Sequence, residues 1–236
     1  MTRILFFFAV LGLIGTNLYS EEWSETQLEL LYGSGFKLGD TQRETFTFEH
    51  SSGWKYGDNH FFFDAQEPMS KSITLYGEFD PSLSFSKITG LNLETGILKD
   101  VIATGNIEME TNYRAYLIGA GVDLKIPAFD FFRVKLLSRN NPDASGSTFQ
   151  VTFVWNLHVK VGKSKIIFRG FADLSGMEGT LYGSQITQPE LLLDLGGFWN
   201  APDTLSVGIE YAFYGNKYGV KGVNESVMQP MICWTF

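Results

Sequence analysis

Cysteine is nearly absent from this 236-residue chain, positive charge is scarce, and no apolar run after the first fifteen residues is long enough to be a helical span. Each absence excludes something. The single Cys233 rules out an internal disulfide and any cysteine-based zinc cluster, and it lies far from the leader, so no lipoprotein cleavage site is indicated. Only three histidines occur, none with a ligand-spaced partner, and no glycine-rich phosphate loop stands out; neither a metal nor a cofactor is expected. Lysine and arginine total 18 against 26 aspartates and glutamates, and the pI of about 4.9 argues against nucleic acid as a partner. Yet 44% of residues are hydrophobic and 15% aromatic, with 21 phenylalanines, at a mean hydropathy of only −0.01. Apolar and polar residues are interleaved, not blocked together, which is how a β-barrel spans lipid without looking hydrophobic.

The first segment has one cation (Arg3), the apolar run 4–15, and small residues up to Ser20 before Glu21-Glu22. The pattern predicts a secretory signal peptide over 1–20, cleaved after Ser20, since the run falls short of the ~20 residues of a spanning helix. Residues 21–236 are then one domain's worth of chain.

Period-two alternation dominates that domain. Over 73–85, Ile73, Leu75, Gly77, Phe79, Pro81, Leu83 and Phe85 share one face, and Thr74, Tyr76, Glu78, Asp80, Ser82 and Ser84 share the other. The stretch 149–160 alternates in the same way. Both are about twice the ~5–6 residues usual for soluble strands. Twelve strands are expected, near 24–33, 43–53, 58–66, 72–86, 98–108, 113–125, 130–139, 148–160, 164–174, 187–196, 204–214 and 226–236. Polar gaps at 34–42, 140–147, 175–186 and 215–225 alternate with tight ones at 54–57, 126–129, 161–163 and 197–203, and a long gap at 87–97 breaks the phase. The fold class is therefore an all-β transmembrane antiparallel barrel of about twelve strands in a Gram-negative outer membrane, with both termini periplasmic. A soluble barrel of the lipocalin kind is the rival, but the stripe Leu205, Val207, Ile209, Tyr211, Phe213 would then be bare in water.

Alternation also assigns the inner face. Glu29, Glu49, Asp64, Glu78 and Asp80 make an acidic arc from strands 1–4, and Arg133, Lys135, Arg139, Lys165 and Arg169 make a basic arc from strands 7–9. The arcs face each other across a twelve-strand barrel. Such charges either pair and fill the interior, or set up a transverse field that orients dipolar solutes. Phe62, Tyr76, Phe131 and Phe171 offer inner faces on which flat rings could stack.

The segment 44–65, with its aromatic-acidic strand Phe46-Thr47-Phe48-Glu49, its turn at Trp54 and its aromatic run Phe61-Phe62-Phe63-Asp64, resembles the second hairpin of the nucleoside-specific (Tsx-like) channel family. Tyr76-Gly77-Glu78-Phe79-Asp80-Pro81 followed by Lys87-Ile88-Thr89 resembles its next strand, and the terminal Met231-Ile232-Cys233-Trp234-Thr235-Phe236 fits as it fits most outer-membrane barrels. The resemblance implies a monomeric channel that passes nucleosides, with Glu49, Asp64, Glu78 and Asp80 lining the lumen. It also implies a terminal strand presented to the barrel-assembly machinery. Arg133, Lys135 and Arg169 rest on alternation alone, and Tyr76 joins the lumen lining as a ring face.

Two other classes remain open. One is a structural or adhesin-like barrel with a filled lumen, working through loops 175–186 and 215–225. The other is a lipid A-modifying hydrolase, because His50-Ser51-Ser52 loosely resembles the His-x-Ser strand of outer-membrane lipid A deacylases. Against it, Glu49 points to the opposite face from His50 and no orienting acid is present. Not an enzyme, then, is the expectation. Loop carboxylates Asp40, Asp143, Glu178 and Glu225 are expected to be solvated, with Ca²⁺ as the sharper alternative. Pro230, inside the closing strand, predicts a bulge there.

Overall fold

The computed structural model describes residues 22–67 and 73–236; the leader reading over 1–20 lies outside the described residues. Twelve strands are present: β1 (Trp23–Ser34), β2 (Gln42–Trp54), β3 (Gly57–Gln66), β4 (Thr74–Ser84), β5 (Leu98–Glu110), β6 (Tyr113–Leu124), β7 (Phe131–Asn140), β8 (Thr148–Val161), β9 (Ser164–Ser175), β10 (Gln185–Asp194), β11 (Leu205–Gly215) and β12 (Glu225–Thr235). Each pairs antiparallel with its sequence neighbours and β1 pairs with β12, so the sheet is a closed barrel with no free edge. No helix among the described residues is long and apolar enough to cross a membrane; only strands could do so here.

Alternation sorts the side chains as expected. Leu30, Leu75, Ile118, Leu136, Met228 and Trp234 are exposed on the outside, Ile118 by 74%. On the same strands Glu29, Ser82, Ala115, Lys135, Gln229 and Cys233 are buried. The charged side chains on the outward face of the strands are Glu44, Lys99 and Arg114, each within three residues of a strand end. The middle of the outer surface is thus an apolar belt, as lipid requires, because an ionised group at mid-bilayer costs ~2–4 kcal/mol.

The two ends differ. At the end opposite the chain termini, β1–β2, β7–β8, β9–β10 and β11–β12 are joined by the polar loops foreseen from composition. At the terminal end the turns β2–β3 and β8–β9 are two residues long. The long gap after β4 there is occupied by a short helix, α1 (Phe85–Thr89), capped by Ser84 and ended by Gly90 in the left-handed region. The β10–β11 link holds a 3₁₀ turn at Gly196–Trp199 and is longer than its sequence suggested.

The bulge expected at Pro230 is not found. Pro230 pairs with Ile209 in unbroken register. The β1–β12 ladder ends one residue earlier, at Leu31 and Met231, so the missing N–H falls where β12 has no β1 partner to bond. The poorly alternating stretches 58–66 and 98–108 are nonetheless strands, because ladder partners on both sides hold them where side-chain pattern does not.

Candidate functional site: a charged barrel interior

The inner face carries both predicted arcs, but they do not stand apart. Arg133 on β7 takes one carboxylate from the adjacent strand, Asp123 on β6 at 2.6 Å, and a second from four strands away, Asp58 on β3 at 2.8 Å. Arg169 on β9 repeats the device, with Glu190 next door on β10 at 2.7 Å and Glu29 from β1, again four strands away round the barrel. Lys135 pairs with Asp80 on β4, and Arg139 with Glu108 on β5 at 2.5 Å. Lys165 pairs with Asp203 at the terminal end.

These contacts constrain the barrel's shape. Twelve strands ~4.8 Å apart and tilted ~40° would make a circle about 24 Å across, in which strands four apart lie about 21 Å from each other. An arginine, a carboxylate and the hydrogen bond between them reach about 14 Å. The section is therefore flattened, and the walls approach each other where Arg133 and Arg169 cross. Gly170 helps set one crossing: its φ of +147° suits glycine alone, and a Cβ there would lie 2.3 Å from the Gln188 carbonyl oxygen. It follows Arg169 and pairs with Pro189.

Asp64, Asp173, Glu78 and Glu210 on the inner face are held by neutral hydrogen-bond donors. Asp64 accepts from Thr47 Oγ1 at 2.7 Å and Asp173 from Thr152 Oγ1 at 2.5 Å. Glu78 accepts from the Tyr76 hydroxyl at 2.5 Å and from Asn106 Nδ2 at 2.6 Å. Glu210 accepts from Gln229 Nε2 at 2.6 Å and from Gln188 Nε2 at 3.2 Å. Glu49 stands 3.8 Å from His60 Nδ1. The Phe62 and Tyr76 rings are 6.0 Å apart beside this group, whereas Phe131 lies under the Arg133 guanidinium at 5.0 Å. All eight residues singled out from the sequence thus lie on the inner face, and Asp80, Arg133, Lys135 and Arg169 are joined in ion pairs. Asp58, Asp123, Glu108, Asn106, Glu190 and Glu210 were missed, although their strand parity placed every one of them inside.

The far-end loops interlock. Lys217 and Glu225 form an ion pair that is almost wholly buried, and Glu225 also accepts from the Lys37 backbone N–H at 2.7 Å. The Lys217 ammonium lies 4.3 Å from the Tyr214 ring centroid and 5.3 Å from that of Tyr218, with Phe36 behind it. Burial pushes its pKa below the ordinary lysine range, against the pull of Glu225. Tyr182 N–H donates to the Gly219 carbonyl, and Glu178 accepts from Asn141 N–H at 2.7 Å. Glu178 and Glu225 therefore hold loops in place; the solvated loop charge expected of them is corrected, because each caps backbone donors that are shielded from water. A recess of about 330 Å³ remains at this end, bordered by Glu110, Tyr113, Arg114 and Asp143. Nearer the terminal end a smaller cavity of about 80 Å³ touches Gln27, Arg169, His158 and Cys233.

The hydrolase constellation does not assemble in this geometry. His50 Nδ1 shares a hydrogen with Thr26 Oγ1 at 2.8 Å, and no bond joins it to the buried Ser52.

A closed twelve-strand barrel with an apolar outside and an ionised inside is the architecture of porins. No family model matches this chain, and no curated protein matches its sequence. Among solved structures it is similar to a KdgM porin in complex with disordered oligogalacturonate, at 6% identity and a TM-score of 0.54, over 89% of this chain and 99% of that one. It is similar likewise to the NanC porin, at 9% identity and a TM-score of 0.57, over 89% and 98%. At these identities the likeness is one of fold.

Proposed function

We propose that this chain is a monomeric outer-membrane channel for passive uptake of small polar solutes, nucleosides foremost. The observation that carries the reading is the inner wall: all twelve strands turn hydrogen-bonding or ionised side chains inward, where a structural barrel of this girth would gain more from an apolar fill. The Phe62–Tyr76 ring pair beside Asp64 and Glu78 suits a flat base with a hydroxylated sugar: rings stack on one part, carboxylates accept from the other. Acidic sugars, of the kind in the KdgM complex, suit this wall less, because its unpaired charges are negative.

In this reading residues 1–20 are a signal peptide removed on export, the apolar belt meets outer-membrane lipid, and the terminal end faces the periplasm. The last strand engages the barrel-assembly machinery. Many weak polar contacts along the wall let a solute enter and still leave. The test is single-channel recording in planar bilayers. Steps that are partly blocked by micromolar to millimolar nucleoside support the reading; steps indifferent to nucleosides remove the nucleoside assignment.

A second reading has its own support. The ion pairs that cross the interior and the interlocked far-end loops suit a filled barrel acting through loops 175–186 and 215–225. That barrel would show no steps at all.

A further inference from the structure

We infer that the interior holds a cation-binding belt, built on the carboxylate–amide units Glu78–Asn106 and Glu210–Gln229, which takes monovalent cations or protonated amines and excludes anions. The inference rests on the channel reading and adds the charge class of what passes.

Each unit leaves the same chemistry unsatisfied. Asn106 spends Nδ2 on Glu78 and Gln229 spends Nε2 on Glu210, at 2.6 Å in both cases. The oxygens of both amides, Asn106 Oδ1 and Gln229 Oε1, are then buried with no donor among the described residues. Asn106 is 8% exposed and Gln229 5%, so bulk water does not meet the need. A buried acceptor left without a donor costs ~1–3 kcal/mol. What would satisfy it, next to a carboxylate, is a group with donors or positive charge and no lone pairs to clash: an ammonium, with three N–H bonds, or a partly dehydrated alkali ion.

The surroundings point the same way. Asp64 and Asp173 add two more carboxylates that accept hydrogen bonds from threonine hydroxyls. The inner cations are each paired with other carboxylates, Arg133, Lys135, Arg139 and Arg169 alike, although Lys135 and Arg139 also lie near Asp173. Arg43, near the far end, gives its donors to Gln66 Oε1 and the Leu38 carbonyl and stacks on Phe36 at 4.3 Å. An anion entering this belt would meet the carboxylates of Glu78 and Glu210, each held by neutral amide donors.

The test is the reversal potential of the full-length mature protein in a tenfold KCl gradient across a planar bilayer. Potassium should permeate at least about fivefold better than chloride, because a low-dielectric wall focuses the field of unpaired carboxylates. Glu78→Gln with Glu210→Gln should bring the ratio to about one to two, since both substitutions keep the hydrogen-bonding shape and remove the charge. Where the double variant fails to give a folded, heat-modifiable band, each single substitution should lower the ratio about twofold, and the unmodified protein still decides the sign. A second arm with methylammonium or spermidine chloride separates the sources. Block by the amine with unchanged potassium selectivity assigns the belt to organic ammonium ions; selectivity without block assigns it to small inorganic cations. Chloride selectivity overturns the inference while leaving a channel in place, and would hand control to Arg43 and Lys217. Absence of any current from folded protein overturns the channel reading and the inference with it.

Discussion

Replacing Arg169 by alanine removes the centre of one of the two cross-barrel connections. The guanidinium holds Glu190 at 2.7 Å, pairs with Glu29, and donates to Gln27 Oε1. Without it, Glu29 and Glu190 face each other, with side chains 5% and 13% exposed. Breaking a buried pair by deleting one partner costs ~3–5 kcal/mol, most of it the stranded charge. Water entering from the adjoining cavity of about 80 Å³ will relieve part of that, so the low end applies: about 3 kcal/mol, or roughly 150-fold in the folding equilibrium. Equilibrium unfolding in urea of protein refolded into detergent micelles, followed by tryptophan fluorescence and by heat-modifiable migration, measures it. Glu29→Gln in the Arg169→Ala background should restore at least about 1 kcal/mol, because it removes one of the two stranded charges. A loss below about 1 kcal/mol, with no rescue, would mean that the pair is solvated and that the walls do not meet at Arg169.

Three further outcomes are expected. Lys217→Ala leaves Glu225 buried with the Lys37 N–H as its remaining partner, so loop 216–224 should loosen and tryptic cleavage after Lys221 should accelerate about tenfold; an unchanged rate would show that the loops are held by their other contacts. Gly170→Ala forces a left-handed φ and a 2.3 Å contact with the Gln188 carbonyl oxygen, and should lower stability in the urea assay by about 2 kcal/mol or more. His50→Ala should leave lipid A acylation untouched in whole membranes, and lost deacylation would bring the hydrolase reading back.

Strand positions and faces were legible because a strand's side chains alternate with period two, and a barrel makes one face apolar. That rule put Glu49, Asp64, Glu78, Asp80, Arg133, Lys135 and Arg169 inside without error. It says nothing about which inner residues meet. Arg133 finds Asp58 some 75 residues earlier, and Arg169 finds Glu29 some 140 residues earlier, only once the sheet has closed and flattened. Pairing between the opposed arcs was one of the two outcomes that alternation left open, and the structure joins them. Pro230 misled for a related reason: whether a missing N–H matters depends on where the β1 ladder stops, and that is set by closure. Glu178 and Glu225 looked like solvent-facing loop charge, because composition does not reveal loops that pack on one another.

On the channel reading, the interior is a solute path narrowed by the Arg133 and Arg169 connections. Single-channel conductance of Arg133→Ala with Arg169→Ala, compared with the unmodified protein at the same salt, tests it most directly. If those side chains bridge the walls, the double variant that still folds should conduct at least about twofold more, since the narrowest section sets the resistance of the path. A conductance equal to that of the unmodified protein would mean that the Arg133 and Arg169 connections do not narrow the path.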